Sequence, residues 1–359
     1  MTKEKTARYA ILHFLVDFCC ALCIYGLTAG KADFYRCFLV YNFCAFALQM
    51  PAGLLADRFG KSEKAAYAGC MLTAVAGLFS MVIVNGNRSG TVFVICVYLL
   101  VVLTGIGNCL FHVGAGKEVL DESGERLSPL GIFVAPGAVG IFLGPIFAGG
   151  NKIFPAGIYG FLLFAGLYFL MRGDRCCSEK ERKAKPATGN RIPMAVNCKI
   201  IMAVICLFFV VVLRSYMGFV SGFSFQQLKI GGILSLVAVV FGKVAGGLFS
   251  DRIGTGKTIM LSMCAAIGGF LLAKYPLFAL IGVFFFHMSM PITLYLAAKI
   301  LKGYKGFAFG LLTFAIFIGF LPVYFGMGQG GKYLPVVVSA VSLMLLCLGL
   351  YLGQKGGSE

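Results

Sequence analysis

Long apolar blocks separated by short polar ones make up this chain. The apolar runs fall near residues 8–29, 34–56, 65–85, 90–113, 128–149, 156–172, 199–221, 231–250, 258–274, 276–299, 306–326 and 333–353. Most are apolar on every side and lack the alternation of barrel strands. A bilayer-crossing helix needs about 20 such residues, so the runs predict twelve membrane-spanning helices. The predicted fold class is an all-α polytopic membrane protein. One internal connection is much longer and more polar than the rest, RGDRCCSEKERKAKPATGNRIP from Arg172 to Pro193. It divides the chain into six spans over 1–172, a linker over 173–198 and six spans over 199–359.

Composition agrees with the pattern. With 59% hydrophobic and 13% charged residues, 359 positions hold too little polar surface to coat a soluble body. The first run is long and carries Asp17 near its middle, so it is read as an uncleaved helix and not as a leader. A net charge of +17 raises the question of nucleic acid, but the cations lie in short connections beside the spans. With the N-terminus inside, 22 Lys and Arg fall in inner segments and 7 in outer ones, and only Arg214 and Lys243 lie within spans. Both termini are therefore expected in the cytoplasm, with a lipid bilayer and no nucleic acid as partner. The 14 cysteines are scattered mainly through the spans and are read as apolar filler, so no metal centre or cofactor is expected. No set of nucleophile, base and oxyanion donors points to an enzyme.

Two phrases repeat. GLLADRFGKS, Gly53 to Ser62, and GLFSDRIGTGK, Gly247 to Lys257, each follow the second span of a six-span block, with Asp57 and Asp251 194 residues apart. This spacing points to a tandem duplication. Gly53 and Gly247 allow close helix packing, and Gly60 and Gly254 allow the backbone to reverse. Asp57 and Asp251, followed by Arg58 and Arg252, are carboxylates placed to meet basic residues or the positive end of another helix. GTGKT, Gly254 to Thr258, has the tail of a phosphate-binding loop but neither its first glycine nor a preceding strand, so ATP binding is not expected.

Both phrases resemble the loop motif of the major facilitator superfamily. The resemblance implies two pseudo-symmetric six-helix bundles and secondary transport by alternating access. In span 5, Gly131, Gly140, Gly144, Pro145 and Gly149 resemble the glycine pattern of the superfamily's antiporters, which implies export. The alternative is that these residues only let the helix bend and pack. LHFLVDF in span 1 and LFHVGAG in span 4 resemble the fosmidomycin-resistance type of exporter, which implies a small acidic cargo.

Ionisable residues at mid-membrane cost about 2.5–3.5 kcal/mol on insertion scales, so they should face protein or a water-filled cavity. Asp17 with His13 lies in span 1, His112 in span 4, Arg214 in span 7 and His287 in span 10, the spans that line the central cavity in the family resembled. His13 and Asp17, four apart on one helix face, are the expected proton-coupling pair. Arg214 and Lys243, with His112 and His287, are the expected substrate-binding residues. Two cations against one carboxylate predict a cavity attractive to anions. The alternative has Arg214 paired with Asp17 across the two halves as a gate, leaving Lys243 to snorkel or to hydrogen-bond backbone carbonyls. Tyr25, Asn108, Gln226, Gln227 and Tyr295 offer further hydrogen bonds.

The reading is a monomeric transporter of the bacterial inner membrane that exports a small anionic or amphipathic compound in exchange for protons. Its rivals are an uptake symporter for an organic anion and a sensor that keeps the fold without transporting.

Overall fold

The computed structural model describes residues 3–28, 33–85, 90–148, 153–176, 197–220, 229–328 and 330–356. Among them stand twelve helices and no strand: α1 Lys3–Thr28, α2 Phe34–Phe59, α3 Ser62–Asn85, α4 Thr91–Ser123, α5 Ser128–Phe147, α6 Ile153–Cys176, α7 Cys198–Val220, α8 Lys229–Ile253, α9 Thr255–Leu271, α10 Pro276–Ile300, α11 Lys305–Tyr324 and α12 Leu334–Gly356. Eleven are long and apolar enough to cross a membrane, and α9, at 17 residues, is shorter. The linker's residues 177–196 lie outside the described residues, as do Gly149, Gln226 and Gln227.

Three helices depart from the expected runs, each for a local reason. The fourth apolar run ends near residue 113, yet α4 continues to Ser123. Nothing in GKEVLDES breaks a helix, Lys117 pairs with Asp121 one turn on, and the chain turns only at Gly124, with φ +60°. In α2 a wide turn spans Phe43–Ala47. Pro51 has no N–H to offer the carbonyl of Ala47, and the extra residue absorbs the mismatch. In α10 the helix is interrupted at Met288, three residues before Pro291, which leaves the His287 carbonyl without its helical donor.

The first six helices pack mainly among themselves, α1 on α5 and α3 on α4 and α6. The last six do likewise, α12 on α7 and α9, and α8 on α10. Between the sets the main contacts are α2 with α11 and α5 with α8. Glycines bring these pairs together towards the end of the bundle where α1 begins and α12 ends. A Cβ at Gly53 would collide with the Gly306 backbone, one at Gly131 would lie 2.6 Å from the Lys243 carbonyl oxygen, and one at Gly247 2.7 Å from that of Leu127. Gly60 and Gly254 have φ +63° and +88°, the left-handed region that lets α2 and α8 stop and the chain reverse at once.

Candidate functional site

The repeated loops end on helix N-termini. The Asp57 carboxylate accepts the N–H groups of Gly306 at 2.9 Å and Phe307 at 2.8 Å, in the first turn of α11. The Asp251 carboxylate accepts those of Leu127 at 2.7 Å and Ser128 at 2.9 Å, where α5 begins. The first N–H groups of a helix have no partner within it and carry its positive end, so a carboxylate satisfies both needs. Each bond joins one six-helix set to the other. Lys305 adds a third link, donating to the Leu120 carbonyl at 2.8 Å and lying 3.4 Å from Asp121. Arg58 and Arg252 are exposed beside the loops.

Deeper in the bundle, α1 and α4 bring together two of the chain's three histidines and its mid-helix carboxylate. His13 Nε2 lies 3.2 Å from Asp17 Oδ2, His112 Nε2 lies 3.6 Å from Asp17 Oδ1, and the two Nε2 atoms are 2.9 Å apart. Each of the three residues is 6% exposed. The other ring nitrogens are committed. His13 Nδ1 is 2.7 Å from the Phe133 carbonyl oxygen and His112 Nδ1 is 2.9 Å from that of Asn108. A carbonyl only accepts, so both Nδ1 atoms carry hydrogen and both donate. The neutral rings then turn bare Nε2 lone pairs toward each other and toward Asp17. Such a set repels itself unless one positive charge sits at its centre. Asn108 Nδ2 donates to Asp17 Oδ1 at 3.1 Å and fixes the carboxylate. Gly137 of α5 completes the site, since a Cβ there would strike Asp17 Oδ2 and His13 Nε2.

The second cluster belongs to the last six helices. Arg214 Nη1 donates to Ser289 Oγ at 3.3 Å and Thr293 Oγ1 at 3.5 Å. Those hydroxyls donate onward to the Phe286 and Met290 carbonyls within α10. Lys243 Nζ donates to the Val134 carbonyl of α5 at 3.2 Å and lies within electrostatic reach of Arg214 and Asp17. His287 is near both cations, and its buried Nδ1 has no hydrogen-bond partner. Among the described residues, no carboxylate lies within ion-pair distance of Arg214 or Lys243.

The residues singled out in the sequence thus fall into two groups. Asp17, His13 and His112 form one cluster, while Arg214, Lys243 and His287 form another. His112, expected beside the cations, instead lies against His13 and Asp17. Arg214 bonds hydroxyls rather than Asp17. Gly140 and Gly144 pack α5 against α1, where added Cβ atoms would lie 2.5 Å from the Phe14 carbonyl oxygen and from Ala21 Cβ. Gly131 packs α5 against α8, and Pro145 lies within α5. Tyr25 rests against Phe34 and Tyr295 beside Lys299, neither at the clusters. Sequence reading missed Gly137, Ser289 and Thr293. Gly137 stands three residues before Gly140 on the same helix face, a signal that was there to find. Also missed were the acids Glu118, Asp121 and Glu122 at helical spacing, which link α4 to Lys5 and Lys305. Cys20 and Cys23, spaced as a CxxC pair, are buried and free, and both bond to Thr104.

Two sets of six spanning helices, meeting along α2–α11 and α5–α8 and tied by two equivalent carboxylate latches, define a polytopic membrane carrier fold. Residues 24–324 match the Major Facilitator Superfamily, and the chain belongs to that family. Solved structures similar to it include a bacterial homologue of the iron transporter ferroportin in an outward-facing state, 15% identical with TM-score 0.66, covering 99% of this chain and 100% of that one. The E. coli fucose:proton symporter FucP is 12% identical with TM-score 0.65, covering 99% and 98%. No curated protein sequence matches the chain.

Proposed function

We propose that the protein is a proton-coupled exporter of a small anionic or amphipathic compound. It works as a monomer by alternating access in the bacterial inner membrane, with both termini cytoplasmic. The observation that carries this reading is the separation of charge between the two six-helix sets. On one side Asp17, His13 and His112 bring two ring nitrogens and a carboxylate close together, an arrangement that a proton would stabilise. On the other, Arg214 has hydroxyls and Lys243 a carbonyl for partners, His287 stands near both, and among the described residues no carboxylate lies within ion-pair distance of either cation. Arg214 offers a planar fork that suits a carboxylate or phosphonate better than it suits two hydroxyls. The basic inner connections favour cytoplasmic termini, which makes the Asp57 and Asp251 bonds cytoplasmic latches. Rocking of the two sets about the mid-membrane clusters would open one side as the other closes. Because the family fold serves neighbours named for cargo as different as fucose and iron, the reading rests on this chain's own residues.

Export, as opposed to the symport for which FucP is named, rests on the glycine pattern of α5. The test begins with thermal stabilisation of the purified protein by matched panels of organic anions, cations and neutral compounds. Stabilisation by anions that disappears in Arg214→Ala is expected. Those anions then enter proteoliposome assays, where substrate and proton should move in opposite directions and Asp17→Asn should abolish the exchange. Stabilisation by cations dependent on Asp17 overturns the anion reading. Co-directional flux leaves the uptake symporter in its place.

A further inference from the structure

We propose that His13, Asp17 and His112 form a binding site for a borderline first-row divalent metal ion, of the Zn²⁺, Co²⁺ or Fe²⁺ kind. Metal bonds to imidazole nitrogen and carboxylate oxygen are about 2.0–2.2 Å long, so donors in a tetrahedral shell stand about 3.3–3.5 Å apart. Here the two Nε2 atoms are 2.9 Å apart, His13 Nε2 lies 3.2 Å from Asp17 Oδ2 and His112 Nε2 lies 3.6 Å from Asp17 Oδ1, and with one donor atom taken from each residue all three lie within 4.8 Å of one another. Three residues with one donor atom each leave a four-coordinate shell one position open. The rings meet at 89° with centroids 4.6 Å apart, edge to face and not stacked.

The supporting contacts are those a metal site requires. Each ligating imidazole donates its other N–H to a backbone carbonyl, Phe133 for His13 and Asn108 for His112, and this reserves Nε2 as the donor atom. Asn108 orients the carboxylate. Gly137 leaves the space next to Nε2 and Oδ2 empty of side chain, and any Cβ there would crowd the ion's donors. Two nitrogens and one oxygen favour borderline transition metals, whereas calcium and magnesium seek six or more oxygens. The same lone pairs hold either a proton or a metal, so the two exclude each other.

The proposal does not depend on transport, and its test does not use it. Purified protein in detergent is titrated with Co²⁺, whose visible bands gain intensity when water is replaced by a four- or five-coordinate site. One ion per chain is expected, displaced by Zn²⁺ and not by Mg²⁺. His13→Gln and His112→Gln should lose it, Asn108→Ala should weaken it by about 10–100-fold, and His287→Gln should leave it unchanged. Size-exclusion profiles confirm that each variant is folded. Because a variant that does not fold decides nothing, Zn²⁺ X-ray absorption is also measured on the unaltered chain, where two imidazoles should appear in the shell. Absence of the Co²⁺ bands, equal loss in His287→Gln, or a shell of sulfur from the chain's cysteines overturns the site. A bound ion without proton-driven flux supports the site and refutes the transport reading alone.

Discussion

The two carboxylate latches make the same bonds in different surroundings, which sets up a comparison inside one molecule. The Asp57 side chain is 1% exposed and has Lys117 at 3.9 Å, whereas Asp251 is an exposed residue. Hydrogen bonds to charged groups contribute about 1.5–3 kcal/mol each when water is excluded, so the two made by Asp57 stabilise the joined state by about 3–6 kcal/mol. At Asp251 water replaces a lost carboxylate at once, and the pair is worth about 1 kcal/mol. A change of about 5.5 kcal/mol carries a two-state equilibrium from 1:99 to 99:1, so Asp57→Ala comes close to inverting the latch and Asp251→Ala only loosens it. Hydrogen exchange with mass spectrometry reads both ends. In Asp57→Ala, the amides opening α11 should exchange about a hundredfold faster or more, given a tenfold change per 1.4 kcal/mol. The amides opening α5 in Asp251→Ala should change by less than about tenfold. Equal acceleration at both ends, or protection at Gly306 and Phe307 that survives Asp57→Ala, would refute the claim that burial decides the strength of these latches.

Other expectations follow from the same contacts. Gly53→Ala places a Cβ on the Gly306 backbone and should destabilise the joined state by about 1–3 kcal/mol, seen as faster exchange at α11. Gly268→Ala, with nothing within 4 Å, should be silent in the same experiment. Gly137→Ala pushes His13 and Asp17 apart, so proton-driven exchange should fall while the melting temperature drops by a few degrees, as checked in proteoliposomes and by thermal unfolding. Arg214→Lys keeps the charge and loses the fork, and should retain only part of the anion-induced stabilisation that Arg214→Ala removes.

Much of the fold was legible because a bilayer imposes a simple code. Twelve apolar runs became twelve helices, and the repeated Asp-Arg loops left two partners open for their carboxylates, basic residues or a helix N-terminus, of which Asp57 has both and Asp251 meets the second. The ends of α4 and the interruptions in α2 and α10 were harder to place. They depend on polar pairs such as Lys117 with Asp121, and on what Pro51 and Pro291 take from a helix's own bonding, neither of which hydropathy registers. In the candidate site, His13 and Asp17 advertised themselves by spacing. His112 did not, because its meeting with them spans 99 residues of chain and exists only once α1 and α4 pack. Gly137 was hidden for the opposite reason, since its contribution is the side chain it lacks.

The two clusters are not independent, and α5 is the reason. His13 donates to the Phe133 carbonyl and Lys243 to the carbonyl of the next residue, Val134. One short piece of backbone therefore holds the imidazole of the first six-helix set and the ammonium of the second. The same helix is packed against α1 by Gly137, which faces the His13 and Asp17 side chains, and by Gly140 and Gly144, and against the Lys243 backbone of α8 by Gly131. Under the proposed mechanism, a movement of α1 that follows a change of charge at Asp17 would press on α5 through these close contacts. It would then strain the Lys243 bond or carry α8 along. The N-terminus of α5 is also where Asp251 latches, so the chain of contacts from the carboxylate cluster to the closed end of the bundle runs through a single helix. Coupling between sites needs an element with two arrangements that both sites bias, and α5 is the element on which both sets of contacts converge.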